Sequence, residues 1–148
     1  MAAVSAPALI VQVDGTPGFP PTGIAGLGVV VRRAGGAIIR TTCLRIAAAT
    51  SVEAEYHAVI AGLALLLRHY PGTPARCMSD CQVVVAQIRG ANAVRVPRLR
   101  PLHAKAVELA ASLPGLELVA IPRELNRLAD ALAWEALEGR ASIVSFQQ

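Results

Sequence analysis

The chain has 148 residues, 54% hydrophobic and 16% charged, which predicts one domain over residues 1–148, with a core from about 9 to 137 and a short C-terminal tail. The longest apolar run, residues 58–67, is too short to cross a bilayer, and no basic stretch precedes an apolar one at the N-terminus, which argues against a membrane partner or secretory signal and predicts a cytoplasmic protein. The net charge of +4 allows a polyanionic partner without requiring one.

Residues 9–15 form an almost unbroken apolar run that ends in Asp14 and Gly15. Such a run is typical of a strand covered on both faces, so we place it at the centre of a sheet. Asp14 would then lie at the carboxyl end of that strand, where open α/β sheets keep their chemistry. The alternative is a turn-forming Asp-Gly that closes a hairpin. The chain has only two other aspartates, Asp80 and Asp130, and each also lies beside or within an apolar element, which favours the first interpretation.

Two further strands are predicted at residues 27–33 and 37–47, joined by a tight glycine turn, so that the first three strands form an antiparallel meander. The Gly/Pro-rich loop of residues 15–26 precedes them. It lacks the GxxxxGK[ST] pattern of a phosphate-binding loop, which favours a plain connector.

A long helix follows this meander. Thr50 and Glu53 form a capping box that opens it, and it runs to about His69. Its apolar stripe of Val59, Leu63 and Leu66, with Gly62 on the same side, also contains Glu55. Because a lone glutamate on a buried face is costly, either a basic partner or a metal ion should meet Glu55.

A short strand at residues 76–79 leads into Asp80. The helix before it makes a crossover, so this strand should run parallel to the first and beside it, which brings Asp80 to face Asp14. A short helix at 81–88, a segment at 91–101 that we expect to be extended, a helix from Pro101 to about 113, a fifth strand at 116–121 and a last helix at about 127–137 complete the chain.

The last helix carries one stripe of Asp130, Ala133, Trp134 and Leu137, which repeats the anomaly of an acid on an apolar face. Gly139 should end it, and residues 143–146 form an apolar tail that either docks on the body or stays loose. The three cysteines lack metal-ligand spacing and are interpreted as small buried residues.

Four acids therefore come from four different elements: Asp14, Glu55, Asp80 and Asp130. Hard oxygen ligands without histidine or cysteine favour Mg²⁺ or Mn²⁺ over zinc. Two such ions, about 4 Å apart, would clamp the attacking and leaving oxygens of an in-line phosphoryl displacement. The residues alone predict a divalent-metal phosphodiesterase.

The sequence is similar to a known family. The similar segments are 13–15 (VDG), 50–63 (TSVEAEYHAVIAGL), 79–90 (SDCQVVVAQIRG) and 122–133 (PRELNRLADALA). In order and spacing they resemble the four motifs of type 1 ribonuclease H, in its compact form. The resemblance implies an α/β ribonuclease H-like fold with a five-stranded mixed sheet of order 3-2-1-4-5 flanked by helices. It also implies endonucleolytic cleavage of the RNA strand of RNA–DNA hybrids.

By motif, the four acids match the family's catalytic, metal-binding acids, with two Mg²⁺ ions and Mn²⁺ as a possible substitute. Gln82 matches a residue that touches the minor groove of the hybrid, and Thr50 one near the DNA phosphate pocket. The full set of expected substrate contacts is Gly15, Thr50, Gln82, Asn126, Arg123, Arg95, Arg98 and Arg100. The last three are expected from their position just after the helix that follows Asp80, and the alternative is a surface patch that solvates an otherwise apolar body. The partner is an RNA–DNA hybrid, and a monomer is expected.

The chain also departs from the family pattern. Ser51 and Val52 replace the usual asparagine pair before the metal-binding glutamate, and residues 91–101, with three arginines, replace the lysine-rich protrusion of some members. The histidine loop is missing, and Arg123 stands nearest its place, either as an aid to product release or as a surface arginine. Two other hypotheses stay open: a nucleic-acid-binding module that does not turn over, and another nuclease of the same superfamily.

Overall fold

The computed structural model describes residues 6–138 and 144–147. The strands are β1 (Leu9–Thr16), β2 (Ile24–Arg33), β3 (Ile38–Ala47), β4 (Ala75–Ser79), β5 (Glu117–Ala120) and β6 (Val144–Gln147). The helices are α1 (Ser51–His69), α2 (Gln82–Ile88), α3 (Arg100–Ala111) and α4 (Arg127–Glu138). Short 3-10 turns precede α3 at Pro97–Leu99 and α4 at Arg123–Leu125.

The strands form one mixed sheet of order β5-β4-β1-β2-β3-β6. The meander of β1, β2 and β3 is antiparallel, β4 runs parallel to β1, and β5 runs parallel to β4. The predicted order of the first five strands is confirmed. The described part of the tail, residues 144–147, adds a sixth strand against β3, whereas Ile143 and the predicted helix stop at Gly139 lie outside the described residues.

The register of β1 explains why two acids meet. Val13 is paired with Ser79 of the parallel strand β4. Asp14 and Asp80 follow these two residues in sequence, so they lie side by side where β4 ends. The predicted placement of Asp80 beside Asp14 is therefore confirmed.

Helix α1 covers one face of the sheet. Its buried residues include Tyr56, Val59, Leu63 and Leu66, as the apolar stripe predicted. Gly62 lies directly against Val13: a Cβ atom at this glycine would come within 2.6 Å of a Val13 methyl carbon. The helix therefore sits close to the central strand, and Glu55, two turns before Gly62, is carried to the end of that strand.

Helix α4 covers the other face and packs on β2. Gly26 and Gly28 face its backbone, and a Cβ atom at either position would overlap the carbonyl oxygen of Ala133 or Ala129, respectively. The buried residues of α4 are small as well, namely Ala129, Ala133 and Ala136. This close contact fixes the position of α4 and hence of Asp130.

Two local predictions differ from the structure. Thr50 caps α1, and its hydroxyl accepts from the backbone N–H of Glu53 at 3.2 Å. The Glu53 carboxylate, however, accepts from the N–H of Ala49 at 3.1 Å instead of returning to Thr50. The segment 91–101 is not extended throughout, since its last part forms the 3-10 turn and the first turn of α3.

Within the described residues, no helix combines the length and the apolar character that a membrane span requires.

Candidate active site

Three carboxyl groups converge at the carboxyl ends of β1 and β4. Asp14, Glu55 and Asp80 each offer an oxygen atom, and these oxygens lie within 4.8 Å of one another. Asp14 and Glu55 are buried, and Asp80 is half-buried. Carboxylates this close repel one another when ionised, so the cluster has the spacing and the chemistry of a divalent-cation site.

Gly15 links two of these acids. Its backbone N–H donates to Oε1 of Glu55 at 2.6 Å. A Cβ atom at Gly15 would overlap the carbonyl oxygen of Ala54, so only glycine lets β1 approach α1 this closely. The glycine after Asp14 therefore sets the orientation of the Glu55 carboxyl group.

The environment shifts the pKa values of both buried acids upward. Burial raises the pKa of Asp14 to about 10, and repulsion by Glu55, hydrogen bonding to Glu55, repulsion by Asp80 and a hydrogen bond with Asp130 add to it. Burial also raises the pKa of Glu55 to about 7, although hydrogen bonds from Asp14 and Gly15 oppose this. Without a cation, the cluster therefore retains protons at neutral pH.

Asp130, the fourth predicted acid, is placed beside the cluster. It is half-buried on the first turn of α4 and interacts with Asp14 through a side-chain hydrogen bond. It is not one of the three acids whose oxygens meet within 4.8 Å. The structure thus brings all four predicted acids to one site, as three clustered groups and one neighbour.

Asn126 has a role different from the predicted substrate contact. Its side chain is fully buried, and its amide nitrogen donates to the carbonyl oxygen of Val13 at 2.9 Å and to Oδ2 of Asp80 at 3.4 Å. A side chain with no exposed surface cannot touch a substrate. We therefore correct this prediction and assign Asn126 to positioning the carboxyl group of Asp80.

The acids line a cleft with a volume of about 480 Å³. Its lining comes from the end of β1, the start of α1, the segment after β4, the turn before α4, and α4 itself. The lining residues are Asp14, Gly15, Thr16, Pro17, Ser51, Val52, Glu55, Asp80, Cys81, Gln82, Val83, Arg123, Asp130 and Trp134.

Three of the predicted substrate contacts line this cleft, namely Gly15, Gln82 and Arg123. Thr50 is exposed just outside it, at the N-cap of α1. Arg95, Arg98 and Arg100 are also exposed and do not belong to the cleft lining. Arg98 instead pairs with Glu53, with 2.9 Å between Nη2 and Oε1.

The sequence interpretation missed Trp134 as a site residue. The predicted stripe placed it on the apolar face of α4 with Ala133 and Leu137, but its side chain is 37% exposed and lines the cleft. Trp134 follows Asp130 by four residues, so the two share a helix face. That spacing was the available signal, but it did not show where the core ends and the cleft begins.

Comparisons with known proteins identify the family of this chain. Residues 13–136 match the family described as reverse transcriptase-like. The bifunctional protein Rv2228c of Mycobacterium tuberculosis is 32% identical over 134 residues, which cover 90% of this chain and 36% of that protein. Ribonuclease HI of Halobacterium salinarum is 34% identical over 116 residues, 78% of this chain and 58% of that protein. The chain thus spans little more than a third of the mycobacterial relative.

Solved structures show the same fold. The crystal structure of RNase H1 from Halobacterium salinarum superposes with a TM-score of 0.82 at 32% identity, covering 88% of this chain and 98% of that one. LC11-RNase H1, solved in complex with an RNA/DNA hybrid, superposes with a TM-score of 0.81 at 30% identity, covering 90% and 99%. The chain belongs to the reverse transcriptase-like proteins and, among them, to the type 1 ribonuclease H family.

Proposed function

We propose that this chain cleaves the RNA strand of RNA–DNA hybrids as an endonuclease. The observation that supports this most strongly is the cluster of Asp14, Glu55 and Asp80 in a cleft of a type 1 ribonuclease H chain. The hybrid bound to the similar LC11-RNase H1 supports the choice of substrate. A module that binds without turnover would not need three mutually repelling carboxyl groups.

The acids fit a divalent cation. Burial first, and then repulsion between the acids, raise the pKa values of Asp14 and Glu55, and a bound cation would offset both costs of ionisation. An all-oxygen ligand set favours Mg²⁺, with Mn²⁺ as a substitute. Asp14, Glu55 and Asp80 would hold the metal, with Asp130 completing a site for two ions. When bound, such ions supply an activated water and stabilise the charge that develops on the leaving oxygen.

Other residues of the chain keep this site in order. The Gly15 N–H orients Glu55, and the Asn126 amide orients Asp80. Arg123, at the cleft wall, offers a planar guanidinium that suits phosphate oxygens. Gln82, at the start of α2, offers an amide to the groove of the substrate. A cytoplasmic location and a monomeric state remain predictions.

The test uses an end-labelled RNA–DNA hybrid, double-stranded RNA and double-stranded DNA, each incubated with Mg²⁺, Mn²⁺ or a chelator. We expect cuts within the RNA strand of the hybrid only, and only with a divalent metal. An Asp80→Asn variant purified in parallel controls for contaminating nuclease. The proposal fails if the wild-type chain leaves the hybrid intact with both metals, or if the Asp80→Asn preparation cuts it equally well.

A further inference from the structure

We propose that Trp134 contacts the substrate, by packing its indole ring on the sugar of a nucleotide next to the phosphate that lies over the acids. This inference rests on the proposed function and assigns the residue that holds the cleaved strand in register. The placement of Trp134 in the cleft, its exposure and its absence from the buried face of α4 carry the inference.

The position of Trp134 is unusual for a tryptophan. The chain has one tryptophan and few other aromatic residues, yet this side chain remains 37% exposed. The buried face of α4 is made of alanines, which let the helix backbone approach β2. A bulky ring therefore has no place on that face, and Trp134 lies one helical turn beyond Asp130 in the wall of the cleft.

The acids of the cleft do not by themselves attract a nucleic acid, so an apolar surface in the cleft can contribute to substrate binding. The deepest groups of the cleft are acids, which repel the phosphate backbone until a cation offsets them. Apolar side chains from three elements, Pro17, Val52 and Val83, line the same cleft together with Trp134. Of these four side chains, the indole has the largest flat apolar face. The sugars of a nucleic acid are the same at every nucleotide, so this contact would not depend on base sequence.

The loop after β1 adds to this wall. Leu137 of α4 lies against Gly18, where a Cβ atom would come within 2.6 Å of its Cδ2. This contact holds the loop beside the C-terminal half of α4. The next residue, Phe19, is 93% exposed, and Pro17 lines the cleft. The loop that follows Asp14 therefore contributes apolar residues to the surface near Trp134.

A single tryptophan makes the test direct. An Asp80→Asn variant, which should bind the hybrid without cutting it, is titrated with an RNA–DNA hybrid in the presence of Mg²⁺. Tryptophan emission and the anisotropy of a dye on the hybrid are read together. We expect the emission to change saturably, with the same half-saturation as the anisotropy, because the indole leaves water and meets the nucleotide.

Variants test the same contact through activity. Trp134→Ala should lower kcat/KM for the hybrid by about 5- to 10-fold, the effect of losing the burial of the exposed part of the indole, and Trp134→Phe should restore most of it. Leu128→Ala is the matched control, since Leu128 lies on the same helix, is 36% exposed and is not among the cleft residues. It should leave kcat/KM within twofold of wild type. Thermal melting verifies that each variant is folded.

The outcomes separate the two proposals. If the wild-type chain does not cut the hybrid, the proposed function and this inference both fall. If it cuts the hybrid normally, an unchanged emission during saturable binding overturns only the role of Trp134. Equal kcat/KM values for folded Trp134→Ala and wild type would also overturn that role alone.

Discussion

Asp14 is the most strongly perturbed acid of the cleft. It is buried, repelled by Glu55 and Asp80, and located at the end of the central strand. Replacement by asparagine should raise the melting temperature of the metal-free protein at neutral pH, because asparagine avoids the cost of keeping a buried carboxyl group protonated that would be ionised in the unfolded chain. It should also lower cleavage by more than the roughly 10–100-fold that loss of an outer-shell partner costs. Melting curves and turnover at saturating Mg²⁺ check both effects, and near-normal turnover would contradict a metal-holding role.

Asn126 offers a second test at this scale. Asn126→Ala removes a donor from the Val13 carbonyl and from Asp80, which should cost about 1–3 kcal/mol in the free energy of unfolding. Asn126→Asp should cost more at neutral pH, because it sets a carboxyl group against Asp80 and a carbonyl oxygen. Chemical denaturation measures both variants. Equal stability of Asn126→Ala and wild type would show that the amide does not hold this corner of the site.

At the scale of elements, the contact between α4 and β2 controls where Asp130 lies. Gly28→Ala would drive a methyl group into the carbonyl oxygen of Ala129, the residue before Asp130. We expect a loss of about 1–3 kcal/mol in stability, as for overpacked cores, together with reduced cleavage although no acid has changed. Gly35→Ala is the control, because a Cβ atom there meets nothing within 4 Å. If Gly28→Ala and Gly35→Ala have the same free energy of unfolding and the same cleavage activity, the contact between α4 and β2 does not control the position of Asp130.

The segment of residues 91–101, which contains three arginines, contacts the start of α1 through the ion pair between Arg98 and Glu53. Because the Arg98 side chain is 64% exposed, the pair should contribute at most about 1 kcal/mol to stability. Among the described residues, neither Arg95 nor Arg100 forms an ion pair, and both side chains are exposed and free to meet phosphates. Replacing both with alanine should raise KM, leave kcat nearly unchanged and reduce the salt slope of hybrid binding by up to about two phosphate contacts.

Binding isotherms over a series of salt concentrations measure this slope. Adding Arg98→Ala to the double variant should change the slope little, since Arg98 is already engaged with Glu53. If the slope is the same for wild type and the double variant, these arginines do not meet the substrate. A large further change from Arg98→Ala would instead show that it leaves Glu53 when substrate binds.

The sequence predicted where helices and strands lie better than it predicted which of their faces are buried. The placement of β4 parallel to β1 and beside it followed from the crossover helix, whereas the place of β5 at the end of the order was implied only by the family resemblance. The stripe of Asp130, Ala133, Trp134 and Leu137 was correct as a helical period. Its assignment to the core failed for Trp134, because the boundary between core and cleft depends on how closely α4 packs on Gly26 and Gly28. A helical period does not contain that distance.

The acids were predictable for a different reason. A carboxylate at the end of an apolar strand or on a buried helix stripe is costly in isolation, so Asp14 and Glu55 could be singled out from one sequence. The buried role of Asn126 could not be found in this way. Asparagine is common between a turn and a helix, so its presence there does not indicate that the side chain is buried. Likewise, β6 could not be predicted as a strand. Backbone pairing holds it to β3, and four residues are too few to show a hydrophobic alternation.

For the whole molecule, the acid cluster predicts how stability depends on pH. Without metal, the folded chain holds protons on Asp14 and Glu55 up to pKa values of about 10 and 7, whereas the unfolded chain releases them near pH 4. Between these limits the folded state binds more protons, so the free energy of unfolding should fall as pH rises. Melting temperatures from pH 5 to 9 with a chelator should show this decline.

Two comparisons test the origin of that decline. Saturating Mg²⁺ should raise the melting temperature most at high pH, where the carboxylates are ionised and can bind it. The Asp14→Asn variant should show a flatter profile in chelator than wild type. A wild-type profile that is flat in chelator, or that rises with pH, would contradict the upward pKa shifts.

The cleft also contains a reactive group outside the acid chemistry. Cys81 follows Asp80 and lines the cleft, whereas Cys43 and Cys77 are buried. Burial raises the pKa of the Cys81 thiol, so its alkylation should be slow at neutral pH and faster in mild base. An electrophile delivered by a nucleotide-like carrier would nevertheless meet this thiol before the other two. The cleft is thereby open to covalent inhibitors that bond to sulfur and need no affinity for a metal ion.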